Sequence, residues 1–273
     1  MSDSPAAVPV VPAATILIVR DAPAGLEVFM VKRHHEIDFA AGALVFPGGK
    51  AAKGDFDDAI GDHARGLADA TGGLRALAAC AIREAFEESG ILFAYDDTGA
   101  VVGGARLARL APWRERLERG DNALVDMLRA EKLTLACDRL VHYAHWVTPT
   151  SMPKRFDTHF FLAAVPDGQV AGHDGRESVD STWIRPDDAI SDPTRFTVVF
   201  PTRLNLMKLA KSATIATALA EAAKAPPVTV EPWVESLPDG RRVVRIREDA
   251  GYDETRASVH DAPRAAPPKA SPG

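Results

Sequence analysis

Apolar and polar positions follow two periods along the chain, and each period predicts a different kind of element. Residues 74–89 predict a helix, which Gly90 would end. Its apolar stripe at helical spacing consists of Leu74, Leu77, Ala78, Ala81 and Ala85. Short runs rich in β-branched and aromatic residues predict strands instead. These runs are residues 14–20, 26–33, 42–46, 91–95, 140–147, 158–165 and 181–184.

These elements mingle without a regular alternation of strand and helix. The mixture favours an α+β fold in which a mixed sheet packs between helices. Helical additions to this core are predicted at 105–133 and 201–224. The predicted divisions of the chain are a flexible arm at 1–13, a core domain at 14–225, an extension at 226–249 and a disordered tail at 250–273.

Composition limits the class of protein. The chain has 273 residues and a formal net charge of −6, which gives no electrostatic footprint for general nucleic-acid binding. Its two cysteines, Cys80 and Cys137, do not make a disulfide framework or a zinc site. We see no apolar run that would cross a membrane and no secretory signal. A cytoplasmic location is therefore expected, and the oligomeric state, a homodimer included, is left open.

Three acids crowd the end of the predicted helix. Glu84, Glu87 and Glu88 share one side of its last two turns. They repel one another by a few tenths of a kcal/mol per pair, and each opposes the helix dipole by roughly 0.3–1 kcal/mol. Arg83 compensates only part of this. One interpretation is a solvated acidic surface; the other is a metal site, because a carboxylate angled toward a core must be paired or bound to metal.

A glycine turn lies upstream of this helix. Residues 42–46 lead into Pro47-Gly48-Gly49, where glycines let a backbone approach a ligand closely. Together, turn and helix end resemble the box of the Nudix hydrolases: Gly, five residues, Glu, seven residues, then Arg-Glu-apolar-x-Glu-Glu-x-Gly-apolar. The second half of the box is matched by Arg83, Glu84, Ala85, Glu87, Glu88, Gly90 and Ile91.

The first half of the box departs from this pattern. An insertion, predicted at 50–73, separates Gly49 from Arg83. The upstream box Glu is therefore missing or displaced to an acid of the insertion such as Asp55 or Asp58. The inserted residues are either a specificity lid or an ordinary charged surface, and the sequence does not decide between them.

The resemblance implies an α/β/α sandwich with an extended box insertion and a helical C-terminal extension. It also implies a hydrolase that splits a P–O–P link with Mg²⁺ or Mn²⁺, hard ions that prefer oxygen ligands. In that family pattern Glu87 and Glu88 are metal ligands, and Glu84 is a ligand or the base, oriented by Arg83. The turn supplies a backbone carbonyl ligand, which we assign to Gly48.

Further candidates lie outside the box. Glu177 is the candidate for an additional catalytic acid, because comparable acids in the family precede the last strand of the sheet. An exposed loop glutamate is an equally good interpretation, and Asp157 is the second candidate. Lys154 and Arg155 would hold substrate phosphates, unless they are ordinary surface cations. The predicted substrate-binding residues are Arg33, Gly48, Gly49, Lys154 and Arg155.

The predicted partner is a small-molecule nucleoside diphosphate derivative rather than a nucleic acid or a membrane. Residues 39–50 and 146–158, with the enlarged box, resemble the Nudix branch related to peroxisomal coenzyme A diphosphatases. Those enzymes yield 3′,5′-ADP and 4′-phosphopantetheine. However, the coenzyme A signature of some relatives has an Arg where this chain has Asp38. The alternatives are an ADP-ribose or dinucleotide pyrophosphatase and a non-catalytic nucleotide-binding sensor.

Overall fold

The computed structural model describes residues 8–33, 42–67, 73–120, 123–172 and 178–258. In chain order its strands are β1 (Val10–Ala22), β2 (Gly25–Arg33), β3 (Leu44–Val45), β4 (Gly48–Lys50), β5 (Ala94–Tyr95), β6 (Thr134–Leu135), β7 (Val141–Val147), β8 (Arg155–Ala164), β9 (Ser178–Ile184), β10 (Thr229–Val230), β11 (Trp233–Ser236), β12 (Arg242–Arg245) and β13 (Arg256–Ser258). The α-helices are α1 (Leu74–Ser89), α2 (Gly104–Ala108), α3 (Ala111–Glu118), α4 (Leu124–Ala130), α5 (Pro186–Ser191), α6 (Phe200–Ala210) and α7 (Ile215–Ala222). None of these described helices combines the length and the apolar content needed to cross a bilayer.

An eight-stranded mixed sheet forms the centre of the fold, in the order β10-β7-β8-β1-β2-β3, with β4 on β1 and β9 on β2. Strand β1 pairs in parallel with β8 and antiparallel with β2 and β4. Two smaller sheets, β11-β12-β13 and β5-β6, lie beside it. The predicted α+β fold with a mixed sheet is therefore confirmed.

Strand β1 shows why the sheet is covered on both faces. Its side chains alternate between the faces, and Ile16, Leu17, Ile18 and Val19 are all fully buried. Ile16 and Ile18 pack in the core cluster that contains α1. Leu17 and Val19 pack in the cluster that contains α6 and α7. A continuous apolar strand between two helical layers gives the predicted three-layer sandwich.

Helix α1 begins and ends where its sequence pattern predicts, at Leu74 and Ser89. Gly90 follows in the left-handed region, with φ of 73°, and its N–H donates to the carbonyl oxygen of Phe86. Glycine adopts this conformation without the steric cost that a Cβ imposes. The helix packs against β1 and β4, so its C-terminal half faces the glycine turn.

Several predicted elements differ in extent. Strand β8 begins at Arg155, before the predicted 158, because its first residues pair in parallel with Val10 and the residues after it. The arm predicted at 1–13 is therefore wrong from Val10 onward. The helical region predicted at 105–133 consists of the three short helices α2, α3 and α4, and the run at 91–95 keeps strand pairing only at Ala94 and Tyr95.

The disordered tail predicted from Ala250 is wrong for residues 250–258. Tyr252 is buried; its hydroxyl donates to Asn205 Oδ1 over 2.7 Å and accepts from Trp146 Nε1 over 2.9 Å. Strand β13 then pairs with β12. Composition predicts disorder where few apolar residues are present. It cannot show that a single aromatic residue, Tyr252, packs between elements that are distant in the sequence. The rest of the tail lies outside the described residues.

Replacing Tyr252 by Phe should lower the free energy of unfolding by about 2 kcal/mol, because it leaves the buried Trp146 N–H and Asn205 oxygen without their partner. Urea denaturation with an unchanged slope would measure this. The neighbouring Asp253→Asn removes an exposed ion pair with Lys211 and should change stability by less than about 0.5 kcal/mol. Equal effects of the two substitutions would contradict the role given to Tyr252.

Candidate functional site

The end of α1 meets strand β4 without space for a side chain between them. A Cβ added to Gly49 would lie 2.5 Å from Glu84 Oε1, and one added to Gly48 would lie 2.6 Å from the carbonyl oxygen of Ala14. Both distances are shorter than any real Cβ contact. Gly49 is therefore what allows the Glu84 carboxylate to lie directly on the strand, whereas Gly48 allows β4 to lie close to β1.

The backbone of Gly48 faces the acids rather than β1. Gly48 lies opposite Thr15 in the antiparallel pair of β4 and β1. The neighbouring pair is hydrogen-bonded, because the N–H of Ile16 donates to the carbonyl oxygen of Pro47. Because hydrogen-bonded and non-hydrogen-bonded pairs alternate, the polar groups of Gly48 point away from β1. Its N–H donates to Glu88 Oε2 over 3.1 Å. The turn thus fixes one of the three glutamates.

Arg83 organises the remaining acids. Its Nε and Nη2 donate to the two oxygens of Asp55, each over 2.9 Å. Its Nη1 donates to Glu84 Oε1 over 2.9 Å and to Glu87 Oε1 over 3.0 Å. A further bond runs from Nη2 to the carbonyl oxygen of Lys50. One guanidinium therefore joins the strand, the helix and the residues after the turn.

Asp55 is the acid that the first half of the box lacked. It is 1% exposed, lies in a 3₁₀ helix (Lys53–Phe56) and forms the bidentate pair with Arg83, whereas Asp58 is exposed. Asp55 follows Gly49 after five residues, which is the box spacing for Glu. Counting forward from the glycine identifies it; counting back from Arg83 does not. The extra residues therefore lie between Asp55 and Arg83, so the insertion begins after Asp55 and not at residue 50 as predicted.

The acids carry more negative charge than Arg83 balances. Burial raises the pKa of Glu84 to about 7, opposed by Arg83 and reinforced by the Glu87 carboxylate. Burial also raises the pKa of Glu87. For Arg83, burial alone would lower the pKa, but the hydrogen bond to Asp55 and the charge of Glu84 hold it well above its usual range. The negative charge of the acids is therefore only partly compensated by Arg83 at neutral pH.

A divalent ion fits this deficit. The donors that the three glutamates and the Gly48 carbonyl offer are oxygens, the set that Mg²⁺ and Mn²⁺ prefer. Glu84 and Glu88 are both mostly buried, and buried carboxylates need a cation or hydrogen bonds to stay ionised. The residues present therefore suit a hard cation at the junction of α1 and β4.

Of the other predicted substrate-binding residues, the structure describes the side chains of Arg155 and Lys154. Arg155 donates through Nε to the carbonyl oxygen of Thr148 and through Nη2 to Glu231, so its guanidinium is already engaged. Lys154 lies exposed in the bend before β8. Arg33 ends β2, and its side chain lies outside what the structure describes, as does all of Glu177 and Asp38.

Asp157, the second candidate for a further acid, belongs to a separate group. It contacts His145 Nε2 and lies 3.7 Å from His159 Nε2. The histidines were not predicted to take part in any site. The signal in the sequence is Asp-x-His within one strand, because alternation places residues 157 and 159 on the same face.

Comparisons with known proteins agree with this fold. A family model described as the NUDT19 Nudix domain matches residues 61–200. An acyl-coenzyme A diphosphatase NUDT19 of Xenopus laevis is 28% identical over 206 residues, covering 61% of this chain and 54% of the relative. A putative nudix hydrolase 7 of Caenorhabditis elegans is 28% identical over 167 residues, covering 60% and 48%. The chain thus spans about half the length of these two relatives.

A solved structure supports the same fold. The crystal structure of a NUDIX hydrolase from Alicyclobacillus acidocaldarius is 28% identical and superposes with a TM-score of 0.68. The match covers 80% of this chain and 99% of that one. It therefore extends well beyond the box.

Replacing Asp55 by Asn should lower the free energy of unfolding by about 3 kcal/mol, because it removes one member of a buried ion pair. Urea denaturation of the metal-free protein would measure this loss. The matched variant is Asp58→Asn, an exposed acid of the same segment, which should change stability by less than about 0.5 kcal/mol. If Asp58→Asn proved the more damaging, Asp55 would not be the displaced box acid.

Metal-free stability should depend on pH through Glu84. Because the folded pKa is about 7 and the ordinary value is 4.5, the folded protein holds a proton that the unfolded chain has released between these values. The free energy of unfolding should therefore fall as pH rises through this window, by up to about 3 kcal/mol. Denaturation in EDTA across the window would measure it. Glu84→Gln should flatten the slope, and identical slopes for both proteins would refute the assignment.

Proposed function

The chain belongs to the Nudix hydrolases, in the family described as the NUDT19 Nudix domain, and from this we propose that it hydrolyses the diphosphate link of coenzyme A or acyl-coenzyme A with Mg²⁺ or Mn²⁺. The products would be 3′,5′-ADP and 4′-phosphopantetheine or its acyl form. The observation that carries the proposal is the set of glutamates that Arg83 and Asp55 hold against the Gly48–Gly49 turn.

The proposed ligands are Glu87, Glu88 and the Gly48 carbonyl, and Glu84 is either a further ligand or the base. When bound, the ion neutralises phosphate oxygens and lowers the pKa of a bound water. Arg83 contacts one oxygen of Glu84 and one of Glu87, so it fixes the orientation of both carboxylates before substrate arrives. Preorganised groups need no rearrangement as charge develops in the reaction.

Glu84 is our candidate for the base. Its pKa of about 7 matches the range in which a general base works best at neutral pH. Its carboxylate lies on Gly49, beside the polar groups of the turn, where a diphosphate would be bound. The position of Asp55, which touches Arg83 and not the reacting group, makes it a positioning residue.

Contacts to the rest of the substrate remain predictions. Lys154 and Arg33 would bind phosphates as cations, and Glu177 would supply a further acid. Arg155 would have to exchange its pair with Glu231 for a phosphate. Because Glu231 is about half exposed, this exchange would require little desolvation.

The substrate assignment rests on the named Xenopus relative and on residues 39–50 and 146–158. One observation favours a second candidate, an ADP-ribose or dinucleotide pyrophosphatase: Asp38 stands where some coenzyme A-cleaving relatives have Arg.

A panel of diphosphates would test the proposal. The purified protein should release 3′,5′-ADP from coenzyme A and an acyl-coenzyme A in Mg²⁺ or Mn²⁺, measured by chromatography, and should be inactive in EDTA. Glu87→Gln should lower kcat/KM by more than about 100-fold, because even residues behind a metal ligand cost 10–100-fold. Glu221→Gln, an exposed helical glutamate paired with Lys224, is the matched control and should leave it unchanged.

The panel also contains ADP-ribose, NADH and a dinucleoside polyphosphate. Turnover of these without turnover of coenzyme A or its thioesters would reject the substrate assignment and retain the hydrolase. Binding of nucleotides with no metal-dependent turnover of any compound would instead support a non-catalytic sensor.

A further inference from the structure

A second group of metal-ligating side chains lies on β7 and β8. His145, Asp157 and His159 each offer a ligand atom, and these atoms all lie within 4.8 Å of one another. His145 Nε2 contacts Asp157 Oδ1, and His159 Nε2 lies 3.7 Å from the same oxygen. The two imidazole rings stack with centroids 4.0 Å apart. Three donors from two strands thus lie close together.

The remaining ring nitrogens are held by the protein. His145 Nδ1 shares a hydrogen bond of 2.8 Å with Thr229 Oγ1 on β10. His159 Nδ1 shares one of 3.0 Å with His142 Nε2. Metal-binding histidines characteristically use one nitrogen for the ion and the other for such a partner, which fixes the ring and its tautomer. Both rings therefore present Nε2 toward Asp157.

The exposure of the group also suits an ion. The side chains of His145, Asp157 and His159 are 17%, 40% and 16% exposed. The donors are thus held in place by packing and still reachable from solvent.

The group is distinct from the glutamates but faces the same side of the sheet. Gly49 pairs with Ala14, and Ala14 pairs with His159. Directly paired residues project to the same face, and Gly49 faces Glu84 on that side. Two strand spacings separate Gly49 from His159, which amounts to about 10 Å. One ion could not bind both sets of ligands.

We propose that His145, Asp157 and His159 form a second cation site, which takes Zn²⁺ or a similar transition ion in preference to Mg²⁺. Two imidazoles and one carboxylate suit Zn²⁺, whereas Mg²⁺ prefers oxygen ligands alone. Three protein ligands leave a position open for water or an anion. Thr229 and His142 act as positioning residues for the two rings.

The test is direct metal binding to the untagged, EDTA-stripped protein in excess Mg²⁺. We expect one Zn²⁺ per chain by elemental analysis after dialysis. Co²⁺ at the same site should give visible ligand-field bands without thiolate charge-transfer absorption, because no cysteine is a ligand. His159→Ala and Asp157→Asn should each weaken Zn²⁺ binding by more than about 100-fold, and Thr229→Val by about 10–100-fold. Circular dichroism would show that each variant is folded.

Two controls separate this site from other sources of zinc binding. His63→Ala removes a histidine outside the group and should leave the affinity unchanged. Glu87→Gln, a change at the glutamate site, should also retain the Zn²⁺. Loss of Zn²⁺ in Glu87→Gln with retention in folded Asp157→Asn would place the ion at the glutamates and overturn the proposal. Wild-type protein that binds no Zn²⁺ would show that the group is only a hydrogen-bonded support for the strands.

Discussion

The buried ion pair between Arg83 and Asp55 is the interaction on which the candidate site depends. Arg83 is 8% exposed and Asp55 1%, so neither charge is solvated well enough to be stable alone. Their pairing ties the residues after β4 to the middle of α1. Because the other side of the same guanidinium holds Glu84 and Glu87, the structural pair also orients the acids. Fold and site therefore share one cation.

Strand β1 holds the glycine turn in the position where it meets Glu84 and Glu88. It carries β4 on one edge and β8 on the other, so the glycine turn, the α1 layer and the histidine strands are fixed in one frame. Glycine at position 49 removes the volume that would keep the Glu84 carboxylate away, and glycine at position 48 removes volume that would meet β1. A close approach of backbone and carboxylate is thus a consequence of the sheet register as much as of the box itself.

Local signals predicted what depends on neighbours in sequence. The bounds of α1 follow from its stripe and Gly90, and the acids lie within five residues of Arg83. Contacts across the chain were not predictable in this way: Tyr252 meets Trp146 106 residues away. The histidines are harder still, because strict alternation places residues 142 and 145 on opposite faces. A β-bulge between His142 and Ala144 brings both rings to His159.

The two ligand groups differ in what they require when no ion is bound. Burial raises the pKa of both Glu84 and Glu87 beside the Arg83 guanidinium, so a bound cation would favour their ionised forms. The histidine group has one carboxylate, 40% exposed to water, and His159 stays neutral there. It therefore carries little electrostatic strain when empty. A cation at the glutamates is a condition of the ionised site, whereas a cation at the histidines adds a charge to a surface that is already stable.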